Sequence, residues 1–252
     1  MTTTDQTKLP DSPIQSYGLP VLSPLYTEPP FEYRDAWQQL ILFRSDPDVI
    51  RKLLPAELEP APDGDLNLTL SRFHVSGFGS YNEAILCAAA TLRGEPVNHA
   101  LYLILDNDIA VCGGREIWGF PKKIGRLTFD ERDGVMTTSV ERGGIDLISA
   151  SIEVGPLLAN NVLDDASLSY TNFKLIPSVK NGAPPEVQQL TKTTLTNFEL
   201  KRIYRGRATL NFNESPVDHL SKLPIREIVD AFYYNADFTL GDGEVVHDYI
   251  AD

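Results

Sequence analysis

Leu66, Leu68 and Leu70 alternate with Asn67, Thr69 and Ser71, and this period of two constrains the chain more than any other feature. Alternation places apolar side chains on one face of an extended strand and polar ones on the other. Strand-like runs also cover Trp37 to Phe43, Asn82 to Leu92, Val97 to Leu105, Gly125 to Phe129, Met136 to Val140, Leu147 to Val154, Tyr170 to Pro177, Thr191 to Ile203 and Ala208 to Phe212. The pairs Asp63-Gly64, Asp133-Gly134, Asn181-Gly182 and Asp242-Gly243 tolerate positive φ and predict tight reversals. Helical spacing is confined to two places. Ser45-Asp46-Pro47 predicts a cap and a first-turn proline ahead of Val49, Ile50, Leu53 and Leu54, with Pro55 as the stop. Leu223 to Phe232 predicts a second helix, with Pro224 in its first turn and Ile225, Ile228, Val229 and Phe232 on one face. Strands do not alternate regularly with helices, which disfavours a doubly wound parallel sheet. The expected fold is mainly β, of the α+β kind, with antiparallel strands and a few short helices.

Residues 1–30 hold six of the 18 prolines, a density of fixed φ angles and missing donors that forbids regular structure. They predict an extended arm anchored by Tyr17, Leu22, Leu25 and Tyr26, wrapped on the remaining chain or on a neighbouring subunit. Residues 31–252 show no repeat or composition shift and are expected to form one domain.

With 22 Lys+Arg against 35 Asp+Glu, the formal charge is -13, which speaks against nonspecific nucleic-acid binding, because such affinity needs clustered cations. No apolar run approaches the roughly 20 residues of a membrane helix, so no membrane partner is expected. The first residues, MTTTDQTKLPDSP, lack a basic region followed by an apolar one, which points to the cytoplasm.

Cys87 and Cys112 are too few for a disulfide scaffold and are read as buried thiols. The four histidines, at 74, 99, 219 and 247, show no ligand spacing, so no bound metal is expected. No G-x-S-x-G elbow occurs. Gly77-Phe78-Gly79-Ser80-Tyr81-Asn82 lacks the third glycine of a dinucleotide loop and a surrounding βαβ unit, and reads as a hairpin or bulge.

One segment concentrates apolar surface and positive charge: Gly113-Gly114-Arg115-Glu116-Ile117-Trp118-Gly119-Phe120-Pro121-Lys122-Lys123-Ile124-Gly125. Without its flanks the lysine pair would read as a solvated surface pair. A lysine nucleophile must be neutral, and an ordinary side chain with a pKa of about 10.4 is neutral only about once in 2,500 at pH 7. Desolvation and a neighbouring cation both favour the neutral form, and Trp118, Phe120, Ile124 and Lys123 are candidates to supply them. The glycines permit close backbone approach, and Pro121 fixes one angle before the pair.

The stretch from Gly114 to Gly125 resembles the signature of the acetoacetate decarboxylase family, G-R-E-x-x-x-[FY]-P-K-K. The resemblance extends over most of the chain: Phe43-Arg44-Ser45-Asp46-Pro47, Leu53-Leu54-Pro55, the pair Tyr81 and Glu83, Leu105-Asp106-Asn107, and Glu244-Val245-Val246-His247-Asp248-Tyr249. Activation by desolvation or a neighbouring cation is already associated with this family's lysine, so it adds no independent weight. The resemblance implies an antiparallel β-barrel or cone-like sheet around an apolar pocket, a homo-oligomer, and no added cofactor or metal. By motif position Lys122 would be the Schiff-base lysine, Lys123 its neighbour, and Glu83 the pocket glutamate that moves a proton at the reacting carbon.

Tyr81 would assist Glu83, Trp118 and Phe120 would supply apolar surface, and Arg115 and Glu116 would orient the lysine loop or form a structural ion pair. The family's decarboxylases also carry an arginine in the first strand and a glutamate in a following one; counting along the chain puts Ala36 and Leu68 there. Arg34, two residues before Ala36, is a candidate substitute on the same strand face.

The leading expectation is a lyase that decarboxylates a 3-oxo acid to a ketone through an imine on Lys122. The alternatives are a Schiff-base aldolase-dehydratase that joins pyruvate to an aldehyde, and a noncatalytic binder of carbonyl or lipid-like molecules. Arg115, Lys122, Lys123 and Arg126 fall within twelve positions of an acidic chain, and are expected to draw in the substrate carboxylate.

Overall fold

A computed structural model describes residues 16–251. Thirteen strands form one continuous sheet. In chain order they are β1 (Phe31–Arg44), β2 (Leu58–Pro60), β3 (Asp65–Phe73), β4 (Val75–Ser76), β5 (Tyr81–Leu92), β6 (Glu95–Leu105), β7 (Lys122–Ile124), β8 (Arg126–Arg132), β9 (Val135–Arg142), β10 (Ile145–Leu157), β11 (Ser169–Ile176), β12 (Val187–Phe212) and β13 (Glu227–Asp248). Two α-helices, α1 (Pro47–Leu53) and α2 (Asp108–Gly113), complete it with a π-helical turn over Gly114–Trp118 and a 3-10 turn over Leu220–Lys222.

The order β11-β6-β5-β3-β1-β13-β12 closes into a ring because β11 also pairs with β12. Most neighbours are antiparallel, but β6 runs parallel to both β7 and β11, so the sheet is mixed. Closure removes free edges from this part of the sheet. Beyond the ring, β12 continues into a ribbon with β10, β9 and β8. A core that includes Ile41, Leu66, Leu68, Leu70, Leu86, Ile104, Val140, Leu147 and Ile152 brings residues of the ribbon against those of the ring strands.

Local chemistry explains several joints. Asp46 caps α1 by accepting from the Asp48 amide at 2.9 Å, and Pro47 opens the helix. Asp133 and Gly134 take φ of 52° and 77° between β8 and β9, as expected for that pair. Arg93-Gly94 and Gly143-Gly144 make comparable positive-φ turns without an Asp or Asn in the pair.

Two expectations are corrected. Leu223 to Phe232 is not a helix: from Glu227 it is strand β13, with Ile228 opposite Phe43 and Phe232 opposite Leu40. A spacing of four satisfies a strand face as well as a helix face, and pairing with both β1 and β12 decides for the strand. Asp242-Gly243 is not a reversal but lies inside β13. A Cβ at Gly243 would stand 3.0 Å from the Trp118 ring, so this glycine serves close approach.

Of the arm, residues 1–15 lie outside the described residues. From residue 16 to Pro30 the chain has bends and turns only. Tyr26 is buried against an aromatic cluster, and Leu25 packs on it. Tyr17 and Leu22 are exposed in the single chain, with the Tyr17 ring edge-on to Tyr26 at a centroid distance of 6.1 Å. Cys87 is buried, whereas Cys112 is only partly so. His99 is buried beside Thr171, 3.1 Å away, and desolvation holds its pKa down to about 4. Among the described residues no helix is long and apolar enough to cross a membrane, and no three His, Cys, Asp or Glu side chains form a metal-holding group.

Candidate active site

The ring encloses a cavity of about 300 Å³. β1 contributes Tyr33, Gln38, Leu40 and Leu42; β3 contributes Asn67, Thr69 and Phe73; β5 contributes Glu83, Ile85 and Ala89. Lys122 enters from β7 and Phe120 from the turn before it, with Tyr234, Phe238 and Leu240 from β13. Lys122 and Glu83 are 6% and 4% exposed, and their Nζ and Oε1 atoms are 3.0 Å apart. The Tyr81 hydroxyl donates to the other Glu83 oxygen at 3.4 Å and lies 3.0 Å from the Tyr33 hydroxyl. Desolvation, with the charge of Glu83 nearby, pushes the pKa values of both tyrosines up, so both remain neutral donors at pH 7. Tyr33, Tyr81, Glu83 and Lys122 thus form one buried polar chain at the cavity.

The signature folds as two parts. Its first half is the π-helical turn, which follows α2, itself capped by Asn107 through the Ala110 amide at 2.8 Å. Gly114 lies where a Cβ would come within 2.6 Å of the Lys122 Cδ and Cε atoms, so only glycine leaves the lysine its seat. Gly119 ends the turn at φ 82°, and a side chain there would strike the Lys174 backbone. Lys174 donates to the Ile117 carbonyl at 3.1 Å and so ties β11 to the turn. The second half is β7, hydrogen-bonded parallel to β6 with Lys122 opposite Leu103.

Strand alternation then separates the two lysines. Lys123 does not face the cavity: its Nζ lies 2.5 Å from Asp218 Oδ1 and 4.7 Å from the Tyr102 ring centroid. Asp218, only 2% exposed, also meets Arg142 at 3.3 Å and accepts from the Tyr102 hydroxyl. Burial opposes its charged form, but Lys123, Tyr102 and Arg142 together hold its carboxyl below the usual range. Asp218 was not identifiable in the sequence, because it lies in an irregular segment 95 positions from Lys123 without a motif.

Other candidate residues act beside the cavity. Arg115 donates to the Lys122 carbonyl at 3.2 Å, while Glu116 accepts from the Tyr26 hydroxyl of the arm. They serve different partners instead of forming one ion pair. Trp118 is buried behind Phe120, with ring centroids 6.2 Å apart, and donates to the Gly241 carbonyl at 3.1 Å. Ile124 is exposed and shields nothing.

Arg34 stays outside, paired with Glu32 at 3.0 Å and near Asp237 at 3.9 Å. The reason is a bulge: Asp35 has φ 53° and the register shifts between Tyr33 and Ala36, so positions two apart no longer share a face. Leu68 faces the outer core, and its neighbours Asn67 and Thr69 face the cavity. The expected basic cluster is dispersed as well, since Arg126 pairs with Glu141 at the surface. Among the described residues, Lys122 is the one basic side chain lining the cavity.

Comparison with known proteins addresses the family and the fold. The sequence model of the family Acetoacetate decarboxylase (ADC) matches residues 19–250. Acetoacetate decarboxylase 1 of Bradyrhizobium diazoefficiens is 28% identical over 246 residues, 97% of this chain and 98% of that protein. Acetoacetate decarboxylase 2 of Mesorhizobium japonicum is 30% identical over 243 residues, covering 93% and 90%. The crystal structure of acetoacetate decarboxylase from Legionella pneumophila superposes with a TM-score of 0.85 at 28% identity, over 90% of this chain and 91% of that one. The enduracididine biosynthesis enzyme MppR, complexed with the condensation product of pyruvate and imidazole 4-carboxaldehyde, shares the fold at a TM-score of 0.80 and 20% identity, over 93% and 97%. The chain belongs to the acetoacetate decarboxylase family.

Proposed function

We propose that this protein is a lyase that forms an imine between Lys122 and the ketone of a 3-oxo acid and releases carbon dioxide. The observation that carries the reading is the buried Lys122 amine 3.0 Å from Glu83 in an apolar cavity. Proton transfer within the pair leaves a neutral amine and a carboxylic acid. The amine adds to the ketone carbon, and water leaves with a proton from Glu83, giving a protonated imine. The bond to the carboxylate then breaks, its electron pair flows into the iminium, and carbon dioxide departs from an enamine. Glu83, reprotonated by solvent entering through the cavity mouth, protonates the enamine carbon; water hydrolyses the imine and frees the ketone. An apolar surrounding favours the step, because a localised carboxylate charge is consumed as it proceeds.

A second reading keeps the imine and changes the bond that forms. Ala36 and Leu68 stand where, by the resemblance, the family's decarboxylases carry an arginine and a glutamate. This departure favours loss of a methyl proton from a pyruvate imine, attack of the enamine on an aldehyde, and dehydration. Borohydride reduction with acetoacetate or pyruvate, read by mass spectrometry, tests both; labelling of Lys122 by neither compound overturns both and leaves a carbonyl-binding protein. Acetone from acetoacetate supports the first reading, and pyruvate consumption only with an aldehyde supports the second. A homo-oligomer, which the resemblance implies, and a cytoplasmic location, expected from the first residues, are tested by light scattering of the purified protein and by fractionation of cells.

A further inference from the structure

We infer that the reacting keto acid carries an extended apolar tail beyond its ketone, so that acetoacetate is a poor version of the real substrate class. The inference rests on the imine reading and concerns what the remainder of the cavity holds. Exposure along the cavity changes in one direction. Tyr33, Phe73, Glu83, Phe120, Lys122 and Phe238 are buried, whereas Leu42, Asn67, Ala89, Asn98 and Leu163 are half-buried and Ala166 is exposed. The amine thus stands at the closed end, and the mouth lies beside the segment from Leu163 to Leu168.

The separation between these ends is large. Glu83, which the amine touches, and Ala89, at the rim, are six residues apart on β5, or about 20 Å at roughly 3.3 Å per residue. The intervening wall is mostly apolar: Leu40 from β1, Ile85 from β5, and Leu195 and Phe198 from β12, with Thr69 of β3 opposite Leu40 and Ile85. The rim is polar and hydrogen-bonded, with Asn67 donating to Asn98 at 2.9 Å and Asn98 donating to the Ser167 carbonyl at 2.8 Å. A cavity of about 300 Å³ reaches the range that encloses drug-sized ligands. A four-carbon acid at the amine leaves most of this apolar passage without a partner. An unbranched or aryl tail of about four or more carbons, running from the imine toward the Asn67–Asn98 rim, fills it.

The test compares freshly prepared acetoacetate, 3-oxohexanoate, 3-oxooctanoate and 3-oxodecanoate by ketone formation and by borohydride labelling of Lys122. The expected result is a rise in kcat/KM of about fourfold per added methylene, the ratio corresponding to about 0.8 kcal/mol, until the tail reaches the rim. Ala89→Leu, which narrows the passage near the mouth, is expected to move the optimum to a shorter chain. If every acid labels Lys122 but acetoacetate has the highest kcat/KM, the imine reading stands and the tail inference is overturned. An unchanged chain-length profile in Ala89→Leu also overturns it. If no 3-oxo acid labels Lys122, the imine reading fails and the inference falls with it.

Discussion

Lys122 and Lys123 are adjacent in sequence and occupy opposite environments. The first shares an apolar cavity with Glu83, and the second lies 37% exposed on the outer side of the same strand, bound to Asp218. A period of two on β7 is enough to make one lysine a candidate nucleophile and the other part of the wall. The cation expected beside Lys122 is committed elsewhere, because Lys123 is bound to Asp218; the amine instead faces the Glu83 carboxyl in an apolar setting. The Phe120 ring centroid lies 5.5 Å from Lys122 Nζ, within that apolar setting.

The sharpest way to break this contrast is to remove each lysine in turn. Lys122→Ala is expected to abolish borohydride labelling and lower kcat by on the order of 10⁴ or more, as loss of a covalent nucleophile does. Retained turnover would refute the assignment. Glu83→Gln keeps the shape but not the proton transfer, and is expected to lower kcat by about 10³ while imine labelling persists. Parallel loss of labelling and unfolding would instead make Glu83 structural, because breaking a buried pair costs about 3–5 kcal/mol.

Smaller effects sharpen the boundary between the two faces. Gly114→Ala displaces the Lys122 side chain and is expected to lower kcat by about 10²-fold with little change in KM, measured against an unchanged circular dichroism spectrum. Asp218→Asn should destabilise the fold by about 1–3 kcal/mol in urea, less than a fully buried pair, because its cationic partners are about one-third exposed.

This deficit should depend on pH with a definite sign. The folded Asp218 carboxyl titrates below its unfolded value, so its contribution is present above the ordinary aspartate range and is lost as pH falls through the lower folded value. The difference between wild type and Asp218→Asn should therefore shrink as the pH falls below about 4. A difference that stays constant from pH 7 to pH 3 would contradict the placement. Lys123→Ala has the smallest expected effect, roughly 1 kcal/mol of stability, with Lys122 still labelled.

Much of the architecture was legible in local patterns. The alternation of β3, the capped helix at Asp46 and the Asp133-Gly134 turn follow from short-range sterics and hydrogen bonding that a few residues specify. Strand β13 was misread because Ile228 and Phe232 suit either period, and only the partners on its two sides distinguish them. The helical first half of the signature was missed because Gly113 and Gly114 weaken a helix in isolation. Their presence has a tertiary reason: Gly113 faces Phe78 and Tyr26, and Gly114 faces Lys122. At the candidate site, the resemblance points to Lys122 and Glu83, which the fold brings together, whereas a bulge turns Arg34 outside and Asp218 carries no local signal.

The sequence by itself determined the β-rich class and the family and singled out Lys122 as the candidate nucleophile, since alternation, turn pairs and a twelve-residue signature are local and specific. Tertiary structure decided which side chains surround that lysine. Ring closure brings Glu83 to the amine, alternation turns Lys123 away to Asp218, and the strand faces set the length of the apolar passage. These outcomes depend on register between strands distant in the chain, and a one-residue change of register would reverse each face.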